Sequence, residues 1–267
     1  MIFASLLTML AFIIAVIAVI FGFSQSLIGY FLFQGQSSSH SPQVDAKFVT
    51  RSDGAKLHVF SAPSHPSNTD VLVFYLHGNA GSIENCWGDE MTKIQRHVER
   101  MCPGETVVVS TFDYRGFGHS SGSLSSRVKT AQQDADFVLA SLQKSLNPNR
   151  TVLFGRSLGG ALALRLAGSS HLPLFLETPL LGTHCVKMLA FLNSVLPDIL
   201  DSTVLLQERR AQTAVVLGQE DTILCAKATE NKLPMNIFRS TVKHRGHNNV
   251  TGTCEWIQAL KSVVNVT

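Results

Sequence analysis

Val152-Leu153-Phe154 runs into Gly155-Arg156-Ser157-Leu158-Gly159, and a stretch rich in Ala and Leu follows from Ala161 to Ala167. The order strand, sharp turn, helix suits a serine nucleophile. Glycine two residues before and two after the serine relieves a turn so tight that side chains there would collide with it or with the neighbouring strand. Ser157 would stand at the carboxyl end of a strand and at a helix N-terminus, where the amide of Leu158 can stabilise an oxyanion. Such a serine points to acyl transfer through a covalent intermediate, which also needs a general base and a carboxylate to orient that base. A bare G-x-S-x-G is equally compatible with a plain βα turn, so the weight falls on the elements around it.

Those elements read as short apolar strands alternating with helices. Lys47 to Thr50 and Lys56 to Phe60 alternate around Ser52-Asp53-Gly54, the pattern of a hairpin with a glycine-bearing turn. Val71 to Leu76 (VLVFYL), Thr106 to Phe112, Thr151 to Phe154, Pro173 to Leu176, Thr213 to Leu217 and Met235 to Phe238 are expected strands. Helices are expected at Ile83 to about Arg100, Arg127 to Leu146 and Val250 to Val264. The alternation predicts an α/β class with a doubly wound, mostly parallel sheet flanked by helices. Sites in such sheets form at the carboxyl ends of the strands, where His77-Gly78-Asn79, Asp113-Tyr114-Arg115, Ser157, Glu177, Asp221 and His247 all fall.

Five segments, in this order, carry a family resemblance: His77-Gly78-Asn79-Ala80-Gly81, Asp113-Tyr114-Arg115-Gly116-Phe117-Gly118, Gly155-Arg156-Ser157-Leu158-Gly159-Gly160, Gly218-Gln219-Glu220-Asp221 and Gly246-His247-Asn248. From about Asp45 to the C-terminus the chain resembles the α/β-hydrolase fold serine hydrolases, in particular their membrane-anchored bud-emergence-like and palmitoyl-thioesterase-like branch. The resemblance implies the chain order serine, acid, histidine. His244 and His247 both follow Asp221; His247, framed by Gly246 and Asn248, matches the family position. For the acid, Asp221 in its Gly-x-x-Asp turn is preferred, with Glu177 at another strand end as the rival. The backbone amides of Asn79 and Leu158 are the expected oxyanion donors. Asp113 and Arg115 brace the fold in this family and are read as structural. Arg156 is expected under the elbow in a salt bridge, with contact to the substrate as the alternative. About thirty residues between Gly182 and Gln212 leave room for a short cap only, hence an open site.

Composition narrows the rest. Of the 267 residues, 45% are hydrophobic and 15% charged, with a formal net charge of +3. That suits a globular domain with an apolar appendage, and the scattered basic residues exclude a nucleic-acid footprint. The five cysteines show no metal-site spacing and read as free thiols or core residues, with a bridge left open. The chemistry expected here calls for no cofactor and no metal.

From Met1 to Val44 there is no Asp, Glu, Lys or Arg, and Leu6 to Phe23 is almost unbroken apolar sequence. That is long enough for one transmembrane helix, and the lack of a basic start argues against a cleaved signal peptide. The expected domains are an anchor at 1–33, a polar linker at 34–44 and a hydrolase domain at 45–267. Lys47, Arg51 and Lys56 lean towards a cytosolic catalytic domain without naming a membrane. The expected partners are the bilayer and a lipid or S-acylated protein substrate. A peptidase on the same fold would ordinarily bring a larger cap, and a non-catalytic relative would ordinarily have lost the serine or the histidine.

Overall fold

Strand β3 (Val71–Leu76) shows how the apolar runs build the core. Its six residues are all fully buried, and alternate side chains enter opposite layers. Leu72, Phe74 and Leu76 join one apolar cluster, while Val71, Val73 and Tyr75 join the other. A strand covered on both faces reads as a continuous apolar run because neither face meets water.

The chain is a computed structural model in which residues 33, 35, 37–38, 46–64, 68–122, 127–168, 170–182, 185–186, 202–209 and 212–265 are described. The strands are β1 (Lys47–Thr50), β2 (Lys56–Ala62), β3, β4 (Val107–Phe112), β5 (Arg150–Arg156), β6 (Leu174–Glu177), β7 (Thr213–Gly218) and β8 (Phe238–Val242). They form one sheet in the order β1-β2-β4-β3-β5-β6-β7-β8. The β1/β2 and β2/β4 pairs are antiparallel and the others parallel. The helices are α1 (Gly88–Met101), α2 (Arg127–Leu146), α3 (Leu158–Gly168), α4 (Thr203–Glu208), α5 (Ala226–Glu230) and α6 (Cys254–Val264). Met91, Ile94 and Val98 of α1 and Trp256, Leu260 and Val263 of α6 cover one face of the sheet; Ala135 and Val138 of α2 and Leu162 and Leu166 of α3 cover the other. This is the doubly wound architecture expected, and no disulfide joins the five cysteines.

Three boundaries differ most from the sequence reading. The last strand runs Phe238–Val242 rather than Met235–Phe238, and Met235 is 89% exposed. It lies at the edge of the sheet, where one side has no neighbouring strand and an apolar run is not required. The helix expected from Ile83 is broken: Ile83–Trp87 forms a single π-helical turn and α1 starts at Gly88. The break turns the Trp87 ring onto His77, stacked at 5.4 Å between centroids. The closing helix starts at Cys254, capped by the Thr253 hydroxyl, which accepts the Trp256 amide.

Apart from Phe33, the anchor expected at 1–33 lies outside the described residues, as does most of the short cap. Among the described residues no helix is long and apolar enough to cross a membrane. Phe33, the last residue of the expected anchor, and the described part of the expected linker dock on the domain. Phe33 is buried, edge-on to the rings of Tyr114 (6.1 Å) and Phe117 (6.4 Å). The Ser38 amide donates to the Gly118 carbonyl (2.8 Å) and its hydroxyl to Glu84 (3.0 Å). Gly35 passes so close to the Phe117 ring that a Cβ would overlap it. Phe33→Ala is therefore expected to lower the stability of the folded domain by about 3 kcal/mol, measured by urea unfolding; an unchanged midpoint would show the docking to be energetically idle.

Candidate active site

Sterics enforce the elbow. Ser157 has φ of 51°, a left-handed conformation that is strained for a residue with a Cβ. Its amide donates to the Glu177 carbonyl (3.0 Å), and its carbonyl accepts from the amides of Gly160 and Leu180 (2.9 Å each). A Cβ on Gly155 would come within 2.5 Å of the Gly159 carbonyl oxygen, and one on Gly159 would overlap the Leu76 carbonyl. Glycine at these two places is thus a condition for α3 to pack against β3 and β5 while leaving Ser157 partly exposed at the strand end.

Two loops from the other half of the sheet meet this serine. His247 Nε2 lies 2.9 Å from Ser157 Oγ, and His247 Nδ1 lies 2.7 Å from Asp221 Oδ2. With the imidazole proton on Nδ1, where it donates to the carboxylate, Nε2 is left to accept from the hydroxyl. Asp221 Oδ1 accepts the amides of Ile223 (2.9 Å) and Leu224 (2.8 Å). Burial works to raise the Asp221 carboxyl, yet the hydrogen bonds from His247 and these amides hold it below its ordinary value. The histidine loop is fixed in turn: the Glu220 amide donates to the Arg245 carbonyl (2.8 Å), the Gly246 amide to Asn249 Oδ1 (2.6 Å), and the Thr178 hydroxyl to the His247 carbonyl (3.3 Å).

The two rival residues lie elsewhere. His244 is exposed and faces Glu220 at 3.1 Å. Glu177 is buried, accepting from Trp256 Nε1 (2.5 Å) and lying 3.4 Å from Arg156 Nε. Arg156 itself is under the elbow, paired with Glu90 at 3.0 Å as well as with Glu177. Asp113 and Arg115 do not pair with each other. Asp113 accepts the Ile83 amide (2.9 Å) and meets His58 (3.0 Å), whereas Arg115 binds Asp134 through two nitrogens (2.7 and 2.9 Å).

The turn after β3 abuts the serine, since a Cβ on Gly78 would sit 3.6 Å from Ser157 Cβ. Three carbonyls of this turn are held by protein donors. Tyr114 Oη donates to the His77 carbonyl (2.8 Å), His77 Nδ1 to the Gly78 carbonyl (2.8 Å) and Trp87 Nε1 to the Ala80 carbonyl (3.0 Å). Leu158 is the first residue of α3, so its amide is among the first-turn donors that no helical carbonyl can satisfy. Tyr114 lies in the Asp113 to Gly118 segment, but its sequence position does not predict the bond to the His77 carbonyl, and nothing in the sequence around Trp87 marks that residue as a support of this turn. Among the described residues no three His, Cys, Asp or Glu side chains form a group that could hold a metal ion.

The constellation has a nucleophile in contact with a base and the base in contact with a buried carboxylate, the requirements of acyl transfer. Comparison with known proteins agrees with the topology that carries it. The family model described as alpha/beta hydrolase fold matches residues 71–235. Over 124 residues the chain is 33% identical to the uncharacterized protein YfhR of Salmonella typhi, covering 45% of this chain and 39% of that one. Over 122 residues it is 35% identical to the lysophosphatidylserine lipase ABHD12 of Danio rerio, covering 43% and 28%. Each match thus spans well under half of the relative's length. Among solved structures, the Pyrococcus furiosus esterase Pf2001 superposes with a TM-score of 0.65 at 15% identity, over 87% of this chain and 96% of that one. Est1E from Butyrivibrio proteoclasticus, solved with ferulic acid bound, gives 0.60 at 13%, over 82% and 96%. From the first buried strand to the segment before the last, then, this chain belongs to the alpha/beta hydrolase fold family.

Proposed function

We propose that the protein is a serine hydrolase that cleaves an acyl ester or thioester, on a lipid or an S-acylated protein, while held at a membrane by its N-terminal segment. The observation that carries the reading is the Ser157–His247–Asp221 relay, with contacts of 2.9 and 2.7 Å. Ser157 Oγ attacks the carbonyl carbon as His247 Nε2 takes its proton, and the amides of Asn79 and Leu158 receive the oxyanion. His247 then hands the proton to the leaving alcohol or thiol, and a water activated by the same imidazole releases the acid. Asp221 keeps the imidazole in the required tautomer throughout. The residues described need no metal or organic cofactor for these steps.

The lipase and esterase among the similar proteins support an ester over a peptide bond. The apolar run Leu6 to Phe23 supports membrane attachment. Phe33 docks on the domain ten residues after Phe23, and ten extended residues reach at most about 36 Å, so a bilayer span would keep the site near the lipid surface.

The test is turnover by the detergent-solubilised full chain on p-nitrophenyl esters and matching thioesters of increasing acyl length, alongside extraction of membranes by high salt, alkaline carbonate and detergent. Turnover of an acyl substrate and release by detergent alone are expected. Failure to turn over any ester or thioester would overturn the hydrolase reading, and release by salt or carbonate the membrane reading.

A further inference from the structure

Arg156 has a place in the fold that a buried ion pair alone does not require. Its guanidinium is 3.0 Å from Glu90 through Nη1, 3.1 Å from Asn248 Oδ1 through Nη2 and 3.4 Å from Glu177 through Nε. The same group lies over the Trp87 ring at 5.6 Å, within the range of a cation–π contact. Three of these partners adjoin different parts of the site. Asn248 follows His247, Glu177 offers its carbonyl to the Ser157 amide, and Trp87 holds the Ala80 carbonyl of the turn beside the nucleophile. Arg156 itself precedes Ser157.

We infer that Arg156 is a positioning residue, a planar fork that sets the distance between the nucleophile, the histidine loop and the oxyanion turn. The inference rests on the serine hydrolase reading above. An arginine can do this where a lysine cannot, because several N–H donors diverge from one rigid plane, whereas an ammonium is a single point charge. The contact with Asn248 identifies the role. The two carboxylates already neutralise the buried cation, and an amide oxygen adds no charge. What the bond adds is a direct link between the residue before Ser157 and the residue after His247, the two groups that must stay within hydrogen-bond reach for proton transfer.

The experiment compares wild type, Asn248→Ala, Arg156→Gln and the double variant for kcat and KM on a water-soluble p-nitrophenyl ester, for the rate of fluorophosphonate labelling and for thermal unfolding. Asn248 is exposed, so its truncation leaves the core intact. Asn248→Ala is expected to lower kcat and the labelling rate about tenfold, with KM and the unfolding midpoint nearly unchanged. The double variant should be no slower than Arg156→Gln, because both substitutions cut the same link. Wild-type kcat in Asn248→Ala, or single effects that multiply in the double variant, would overturn the inference. If Arg156→Gln does not fold, Asn248→Ala alone decides. A Ser157→Ala control separates this inference from the reading beneath it: an inactive control beside a fully active Asn248→Ala removes only the positioning role, whereas an active control removes both.

Discussion

Ser157→Ala is expected to reduce ester turnover by at least about 10⁴-fold while leaving the fold intact. The size follows from what is lost. Without Oγ no acyl-enzyme forms, and what remains is the residual acceleration given by binding and oxyanion donors to direct attack by water. The fold should survive because the serine's backbone bonds to Glu177, Gly160 and Leu180 do not involve its side chain, and alanine at φ of 51° is strained much as serine is. Circular dichroism and steady-state kinetics on the same preparation check both halves. Turnover within about tenfold of wild type, on a scale where the triad accounts for several powers of ten, would remove Ser157 from the mechanism.

Asp221→Asn carries the second largest effect, a fall in kcat of about 10³- to 10⁴-fold. The amide keeps the shape of the side chain and can still accept the Ile223 and Leu224 amides. It can also turn its NH₂ towards His247 Nδ1, which drives the imidazole proton to Nε2 and leaves no base facing the serine. Glu177→Gln should behave differently, with kcat changed through the Arg156 network and by less than about tenfold, since Glu177 makes no contact with His247 in the relay. The acid side follows from the depressed Asp221 carboxyl. A group whose folded value lies below its ordinary 3.8 contributes stability that is present above that value and lost as pH falls through the folded one. The stability difference between wild type and Asp221→Asn should therefore shrink below about pH 4, as measured by thermal unfolding across pH.

Much of this site is legible in the residues because its demands are local. The elbow needs glycine two positions either side of the serine, and the structure gives the reason in the carbonyls of Gly159 and Leu76. Runs such as VLVFYL announce strands buried on both faces. Local pattern fails where partners are distant or the environment is one-sided. Strand β8 is polar because it is an edge, and an apolar run before it drew the expected strand three residues early. Glu90 and Asn248 lie 66 and 92 residues from Arg156, and no spacing rule joins them. Phe33 reads as the end of the apolar anchor and Gln34 to Ser38 as the start of a polar spacer, whereas the contacts of Phe33 with Tyr114 and Phe117 and of Ser38 with the Gly118 carbonyl depend on groups supplied by a loop far along the chain.

The central claim is that Ser157 is the activated nucleophile, and covalent capture tests it most directly. Intact protein is treated with a fluorophosphonate, digested and mapped by mass spectrometry, with Asp221→Asn treated in parallel. One adduct per chain, on the peptide carrying Ser157, and much slower labelling in Asp221→Asn are the predicted results. An adduct on a different residue, or equal labelling rates in the two proteins, would contradict the account.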